Sequence, residues 1–166
     1  MDLNRRLKTI AAVAGIILLI ATAASSYPKK TAVKPAPDAE FTKLIAEYYK
    51  AWSSMNPNNA SKYYAKDAGL VFFDIAPMQY HGWDEYKAGV MKAFIEPSVS
   101  AVLTPNDDLR VNRRGTVVWT TVTFHLSAKA KAGGATEVDA RHTAIWEKRG
   151  GKWLIVHEHV SAPLPG

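Results

Sequence analysis

Three side chains that can accept or donate a proton stand out in a sequence of 166 residues without cysteine. Asp74 follows a short apolar segment, and His142 and Glu158 lie in the last two segments that alternate like strands. A carboxylate in an apolar pocket has its charged form disfavoured, as suits a general base. Tyr48 or Tyr64 could donate to a developing oxyanion. The residues therefore permit acid–base chemistry, whereas cysteine nucleophiles and cysteine zinc sites are excluded.

The same side chains also have purely structural explanations. Glu158 and His142 could form a hydrogen bond that only satisfies two buried groups, because a buried carboxylate needs a partner. His157 and His159 lie on one strand face, and His125 could complete a three-histidine zinc set. Hydrogen-bonded structural histidines are the more common arrangement, so we expect no metal and no cofactor.

The turn between the last two strands decides which of their side chains face inward, because side chains alternate between faces along a strand. A three-residue turn that pairs Lys148 with Lys152 places Glu158 opposite His142 and puts the even-numbered residues on one nearly apolar face. A two-residue turn made of the double glycine places His142 opposite His159 and mixes the faces. We expect the three-residue turn.

Helical periodicity comes first along the chain and strand periodicity follows. Apolar residues from Phe41 to Met55 share one helical face, Asn59–Tyr64 fits a short second helix, and a third follows Gly82. Gly89 inside the third helix predicts close packing against a neighbour. Segments that alternate like strands and are separated by turn residues are 70–73, 99–103, 109–112, 116–128, 136–149 and 152–161.

This order predicts an α+β domain built as a cone-shaped roll. A strongly twisted, mainly antiparallel sheet would curl around three N-terminal helices and leave an apolar hollow. We expect the hollow to bind a small, mostly apolar molecule. Its predicted lining residues are Tyr48, Trp52, Tyr64, Phe72, Phe94, Val122 and Phe124.

The N-terminal segment has the pattern of a secretory signal peptide. Basic residues at 5–8 precede an apolar run at 10–21, and Ala21-Thr22-Ala23 fits a cleavage site. Residues 1–23 are predicted to be removed, 24–38 to form a flexible linker and 39–166 to form the domain, in the periplasm or secreted. The alternative is an uncleaved membrane anchor, since the stretch 9–26 reaches the lower limit for a bilayer span.

The formal net charge of +6 does not indicate a nucleic-acid partner. Residues 1–38 carry six basic and two acidic side chains, so the remaining 128 residues carry a net charge of only +2. A nucleic-acid binder concentrates positive charge on one face of its folded domain. We therefore expect no nucleic-acid binding.

The run RHTAIWEKRGGKWLIVHEHVSAPLP, residues 141–165, resembles the end of the SnoaL-like group. It is especially similar to the association (hub) domain of calcium/calmodulin-dependent protein kinase. Shared features are a Thr two residues before an aliphatic-Trp pair, a turn, GKW, an IVH-x-H strand and S-x-P. The Tyr-Ala-Lys-Asp segment at 64–67 and Gly82 also match the wider nuclear transport factor-like superfamily, and the resemblance covers about residues 39–165.

The resemblance implies a cone-shaped α+β roll, usually a dimer through the outer face of its sheet. Such domains include steroid isomerases, dehydratases, polyketide cyclases, ligand-binding modules and assembly domains, so the fold alone does not determine function. Arginines of the kinase hub match Ala144 and Val160 here, which disfavours an acidic ligand. The base of ketosteroid isomerase matches Phe72, and Asp74 is the available substitute.

Three functions remain open from the sequence. The first is an exported, homodimeric module that binds a small apolar molecule, with no reaction assigned. The second is an isomerase, dehydratase or cyclase that uses Asp74, His142 or Glu158 as its base. The third is an assembly domain on an uncleaved membrane anchor, the one case in which the membrane is a partner.

Overall fold

The computed structural model describes residues 38–75 and 77–164 of the chain. The predicted signal peptide or anchor, and the predicted linker up to residue 37, lie outside these residues. In the described part, every helix is too short or too polar to cross a bilayer.

Within residues 38–75 and 77–164, three α-helices occur in the order that the periodicity predicts. Helix α1 spans Ala39–Ser53, and the Asp38 side chain caps it by accepting the Phe41 backbone N–H at 3.1 Å. Helix α2 spans Pro57–Ala60 and continues as a 3-10 turn, Ser61–Tyr63. It begins two residues before the predicted Asn59, because Asn56 caps it and proline suits a first turn. Helix α3 spans Gly82–Val90, and a π-helical turn, Met91–Ile95, follows.

The close packing expected at Gly89 is present. A Cβ atom added at this position would lie 2.6 Å from Cζ of Tyr80, whose side chain is 2% exposed. Tyr80 belongs to a two-residue strand that the sequence did not indicate. The absence of a side chain at Gly89 thus lets α3 lie against that strand.

In the part of the chain that the structure describes, seven strands form one curved sheet in the order β2-β1-β7-β6-β5-β3, with β4 also paired to β5. Strand β1 runs parallel to β7, and the other pairs are antiparallel. The α+β class and the wrapped, mainly antiparallel sheet are therefore confirmed. The strands are β1 Val71–Phe73, β2 Tyr80–His81, β3 Ser98–Pro105, β4 Arg110–Arg114, β5 Val117–Ala130, β6 Ala135–Arg149 and β7 Lys152–Ser161.

The expected three-residue turn between β6 and β7 is wrong. Arg149 pairs with Lys152, and Gly150 and Gly151 form a two-residue turn with φ of +55° and +78°. Positive φ at both central residues is the requirement of a type I′ hairpin turn, which glycine meets without strain.

A β-bulge in β7 then reverses the parity of the strand. Trp146 pairs with Ile155 but Ile145 pairs with His157, so Val156 is an extra residue. Before the bulge the inward residues of β7 are odd-numbered, with Ile155 fully buried; after it they are even-numbered, with Glu158 fully buried. Glu158 therefore faces inward as expected, although its partner in the ladder is Ala144 and not His142.

An ionic cluster holds the start of α1 over the sheet. The Arg113 guanidinium of β4 donates to both carboxylate oxygens of Asp38, at 2.8 and 3.0 Å, and to Glu40 at 2.7 Å. Glu40 also accepts the indole N–H of Trp153 at 2.9 Å. The Arg113 hydrogen bond holds the pKa of Asp38 below its usual value. These contacts orient α1 so that Tyr48 and the aromatic residues beside it face the concave side of the sheet.

Candidate ligand-binding site

A cavity of about 410 Å³ lies between the helices and the concave face of the sheet. Side chains of α1, α3, β3, β5, β6 and β7 line it, together with the loop after β1. Its exposed lining residues indicate where it opens: Ile75, Ala93, Pro97, Ala130 and Thr136. This volume lies within the range of pockets that hold small organic molecules.

The structure places some of the predicted lining residues on the cavity wall and others elsewhere. Tyr48, Trp52, Phe94 and Phe124 line it. Tyr64 and Phe72 are 2% and 0% exposed and lie outside the lining, where their rings contact each other at 5.5 Å between centroids.

Val122 lines a different feature from the one predicted. It belongs to a second depression of about 380 Å³, whose other lining residues include the polar side chains of Thr121, Arg141 and His159. Val122 pairs with His142 near the middle of β5, whereas the residues of β5 that line the cavity lie farther along the strand, from Phe124 to Ala130.

Asp74 is the carboxylate on the wall of the cavity. Its Oδ2 atom accepts the Tyr86 hydroxyl at 3.1 Å, and its Oδ1 atom accepts the Ile75 backbone N–H at 2.7 Å. Burial raises the pKa of Asp74 to about 6, and the nearby charge of Glu158 acts in the same direction. At neutral pH the side chain is therefore mainly a carboxylate, and it becomes protonated when the pH falls slightly below the physiological range.

Glu158 lies behind the cavity wall in a network of hydrogen bonds. Its Oε2 atom accepts the Tyr48 hydroxyl at 3.0 Å and the His142 Nε2–H at 3.3 Å. Its Oε1 atom accepts the Tyr64 hydroxyl at 2.9 Å. The Trp52 indole N–H donates to the Tyr64 hydroxyl at 3.2 Å, which completes the network. A fully buried carboxylate is stable here because each of its oxygens has donors.

This network explains why Glu158 stays charged. Burial alone would raise the pKa of its carboxyl, but the hydrogen bond and electrostatic attraction of His142, with a hydrogen bond from Tyr64, hold the pKa below its usual 4.5. Burial, and then the charge of Glu158, raise the pKa values of Tyr48 and Tyr64 well above 10. The tyrosines therefore remain hydroxyl donors to a carboxylate across the physiological pH range.

The predicted acid–base residues occupy different positions in the structure. Asp74 and His142 line the cavity, whereas Glu158 is 0% exposed and reaches it only through Tyr48 and His142. The second ring nitrogen of His142, Nδ1, is 3.2 Å from the Tyr49 hydroxyl. Of the three residues, Asp74 is the carboxylate that lines the cavity, and its two hydrogen bonds leave it able to accept more.

Sequence reasoning missed two tyrosines of the site. Tyr49 lines the cavity and stands four residues after Ile45 on α1, so the helical spacing contained the signal. Tyr86 also lines the cavity and donates to Asp74. On the sequence it is one of the apolar residues of α3, and its contact with Asp74 depends on how α3 packs on β1.

The histidines considered as zinc ligands have other partners. The His157 Nδ1 atom lies 2.7 Å from the carbonyl oxygen of Val71, and the exposed His159 packs edge-on against Phe73. His125 lies between the carboxylates of Asp139 and Glu137, at 2.9 and 2.7 Å. Over residues 38–75 and 77–164, no group of three or more His, Asp or Glu side chains is arranged to hold a metal ion.

The described domain is thus an α+β cone with a mainly apolar cavity between its helices and its sheet. Residues 42–165, about three quarters of the chain, match the family model of the SnoaL-like domain. The chain belongs to the SnoaL-like domain family, and the resemblance seen in residues 141–165 is confirmed. No curated protein matches the sequence significantly.

Solved structures share the fold at low sequence identity. A Salmonella enterica protein of the nuclear transport factor 2-like superfamily gives a TM-score of 0.69 at 18% identity, over 76% of this chain and 90% of that protein. A Xanthomonas campestris protein is named as a candidate calcium/calmodulin-dependent protein kinase II association domain. It gives a TM-score of 0.65 at 21% sequence identity, over 78% of this chain and 89% of that protein. A Streptomyces avermitilis protein named as a candidate dehydratase gives a TM-score of 0.66 at 14% sequence identity, over 78% of this chain and 100% of that protein. Identities this low establish a common fold and no common activity.

Proposed function

We propose that this domain binds a small, mostly apolar molecule in the cavity between its helices and sheet. The observation that carries the proposal is a cavity of about 410 Å³ with aromatic walls and one carboxylate, Asp74, on its surface. Unfilled apolar space costs stability, because the side chains around it lose packing partners. A space of this size with a polar group on its wall therefore favours a ligand over a packing defect.

Filling the cavity tests this proposal. Leu126 of β5 lines it, so Leu126→Trp should occupy part of the space, whereas Lys129→Trp places the same ring on an exposed position of the same strand. We expect neutral two-ring compounds such as indole and 2-tetralone to raise the Tm of the wild type and of Lys129→Trp. Leu126→Trp should lose this response. The proposal is wrong if neither compound shifts the wild type, or if all three proteins respond alike.

Acid–base catalysis in the same cavity is a second candidate function. The Asp74 carboxylate with a pKa of about 6, held by the Tyr86 hydroxyl, favours it. Such a group can remove a proton from a carbon next to a carbonyl, the first step of an isomerase or dehydratase. One protein that shares the fold is named as a candidate dehydratase, which is a reaction of this class.

Deuterium exchange tests for a base without knowledge of the natural substrate. In D₂O the wild type should accelerate exchange of the α-protons of 2-tetralone, followed by NMR, and Asp74→Asn should not. Asp84→Asn, at an exposed position of α3, serves as the control. If Asp74→Asn exchanges as fast as the wild type, Asp74 is not a catalytic residue.

Export of the domain remains a proposal based on the N-terminal pattern of basic, apolar and small residues. Removal of residues 1–23 would leave a periplasmic or secreted protein. Mass spectrometry of the protein from its native host should show the loss of about 23 residues. An intact N-terminus in the membrane fraction would support the anchored alternative.

A homodimer through the outer face of the sheet also remains a proposal. Thr143 lies centrally on this face, because it pairs with Thr121 on one side and His159 on the other. Thr143→Arg should place two like charges at a symmetric interface and convert dimers into monomers. Light scattering after size-exclusion chromatography measures this change, and a wild-type monomer would contradict the proposal.

A further inference from the structure

We propose that the cavity selects a protonated amine, namely a ligand with an apolar ring body and one ammonium group, and that it rejects carboxylates. This inference rests on the proposed binding function and adds the charge of the ligand to it. Three features of the cavity support it: the charge of its wall, its shortage of free hydrogen-bond donors and its aromatic surface.

The charge of the cavity wall is negative. Asp74 lines the cavity, and neither Lys nor Arg is among its described lining residues. Glu158 lies directly behind the wall, and its charge acts on Asp74. His142 is the lining residue that could carry a positive charge, and one such charge cannot offset two carboxylates. A cation entering this space is attracted, and an anion is repelled with little solvent to screen it.

Hydrogen-bond donors on the wall already have acceptors. The hydroxyls of Tyr48 and Tyr86 donate to Glu158 and Asp74, and both ring nitrogens of His142 have partners. The Ser98 hydroxyl donates to a backbone carbonyl at 2.7 Å.

The remaining side-chain donors on the wall are Tyr49, Trp52 and Thr136. The Tyr49 hydroxyl lies 3.2 Å from Nδ1 of His142, and the Trp52 indole N–H donates to the Tyr64 hydroxyl at 3.2 Å. Thr136 stands at an exposed position, away from the buried part of the wall. A ligand carboxylate that enters the buried part of the cavity would therefore find no free donors to replace its water, which is costly.

Acceptors for an ammonium group are present. Asp74 receives one hydroxyl and one backbone N–H, and a carboxylate can accept about four hydrogen bonds. Six aromatic side chains line the same cavity, and ring faces attract cations. They are Tyr48, Tyr49, Trp52, Tyr86, Phe94 and Phe124. The carboxylate and the rings together suit an amine with an aromatic or alicyclic body.

Three indole compounds of similar size separate the effect of charge from the effect of shape. Tryptamine carries an ammonium group, tryptophol a neutral hydroxyl and indole-3-acetate a carboxylate. Binding of each to the purified full chain is measured by isothermal titration calorimetry near neutral pH. We expect tryptamine to bind at least ~tenfold more tightly than tryptophol, since a charge-assisted hydrogen bond replaces a neutral one. Indole-3-acetate should bind most weakly.

Asp74→Asn and Asp84→Asn locate the source of the preference. Asp74→Asn should lose the ~tenfold advantage of tryptamine and keep the affinity for tryptophol within about twofold. Asp84→Asn removes an exposed carboxylate from α3 and should behave as the wild type. The order of affinities in the wild type is itself decisive, so the test does not depend on the folding of either variant.

The possible failures are distinguishable. If tryptophol binds as tightly as tryptamine, or indole-3-acetate binds most tightly, the charge selection is wrong while the binding function stands. If Asp74→Asn keeps the full preference for tryptamine, Asp74 is not its source and the inference is wrong. If none of the three compounds binds, and indole and 2-tetralone also leave the wild type unchanged, the proposed binding function fails and the inference fails with it.

Discussion

Replacing Asp74 with asparagine should stabilise the fold at neutral pH and leave it almost unchanged at acidic pH. Burial raises the pKa of this carboxyl from its usual 3.8 to about 6, so the folded protein holds the proton more tightly than the unfolded chain. The wild type therefore loses stability as the pH rises from about 4 to about 6, and loses no more above that. An asparagine does not ionise and avoids this loss.

The expected size of the gain follows from the shift in pKa. A difference of about two units corresponds to about 3 kcal/mol in the free energy of unfolding. Asp74 is only half-buried and faces a cavity that solvent can enter, so we expect about 1–2 kcal/mol. The asparagine carbonyl can still accept the Ile75 N–H, and its amide can donate to the Tyr86 hydroxyl. The substitution therefore keeps the Ile75 contact and reverses the direction of the Tyr86 hydrogen bond.

Urea unfolding followed by tryptophan fluorescence measures this difference at about pH 4 and about pH 7.5. Comparison of variant and wild type at each pH cancels the contributions of other titrating groups. Asp84→Asn, at an exposed position, should show no gain at either pH. The reasoning is refuted if Asp74→Asn is less stable than the wild type at the higher pH, or if it gains equally at both.

Two further substitutions test the network and the packing. Glu158→Gln should lower the free energy of unfolding by about 2–4 kcal/mol in urea at neutral pH, because its amide group would face hydrogen-bond donors. Glu137→Gln, at an exposed position of β6, should leave the free energy of unfolding nearly unchanged. The pKa of Glu158 is lower in the folded protein than in the unfolded chain, so its carboxylate stabilises the fold above about pH 4.5. This stabilisation is lost as the pH falls through the pKa of the folded state. If Glu158→Gln is less stable than the wild type by the same amount at acidic and at neutral pH, this reasoning is wrong. Gly89→Ala should lower Tm, at a cost of about 1–3 kcal/mol, because a Cβ atom would lie 2.6 Å from Cζ of the buried Tyr80 ring. Gly69→Ala should leave Tm unchanged, because a Cβ atom there would have no other atom within 4 Å. Equal Tm values for the two variants would show that the helix accommodates the methyl group.

The helices and long strands could be predicted because their signals are local. The Asp38 cap and the spacing of apolar residues place α1, and the turn residues separate the long strands to within about two residues of their observed ends. Strand β2, by contrast, has only two residues and no periodicity. It exists because β1 lies beside it, which no local pattern reveals.

The register of β6 and β7 shows where local reasoning ends. The double glycine indicates a type I′ turn, yet a regular ladder from that turn would direct Glu158 outward. The bulge at Val156 allows Trp153 and Ile155 to face inward on one side of it and Glu158 on the other. Its position depends on which side chains the concave interior can enclose, and that interior is formed by distant parts of the chain.

For this protein the sequence by itself determined the order of helices and strands, their apolar faces and the family to which the domain belongs. Each of these depends on residues close together along the chain. Only the tertiary structure decided that Asp74 lies on the cavity wall beside Tyr86, while Glu158 is enclosed behind Tyr48 and His142. Those contacts join residues from 12 to 110 positions apart, so they form only when the sheet curves around the helices.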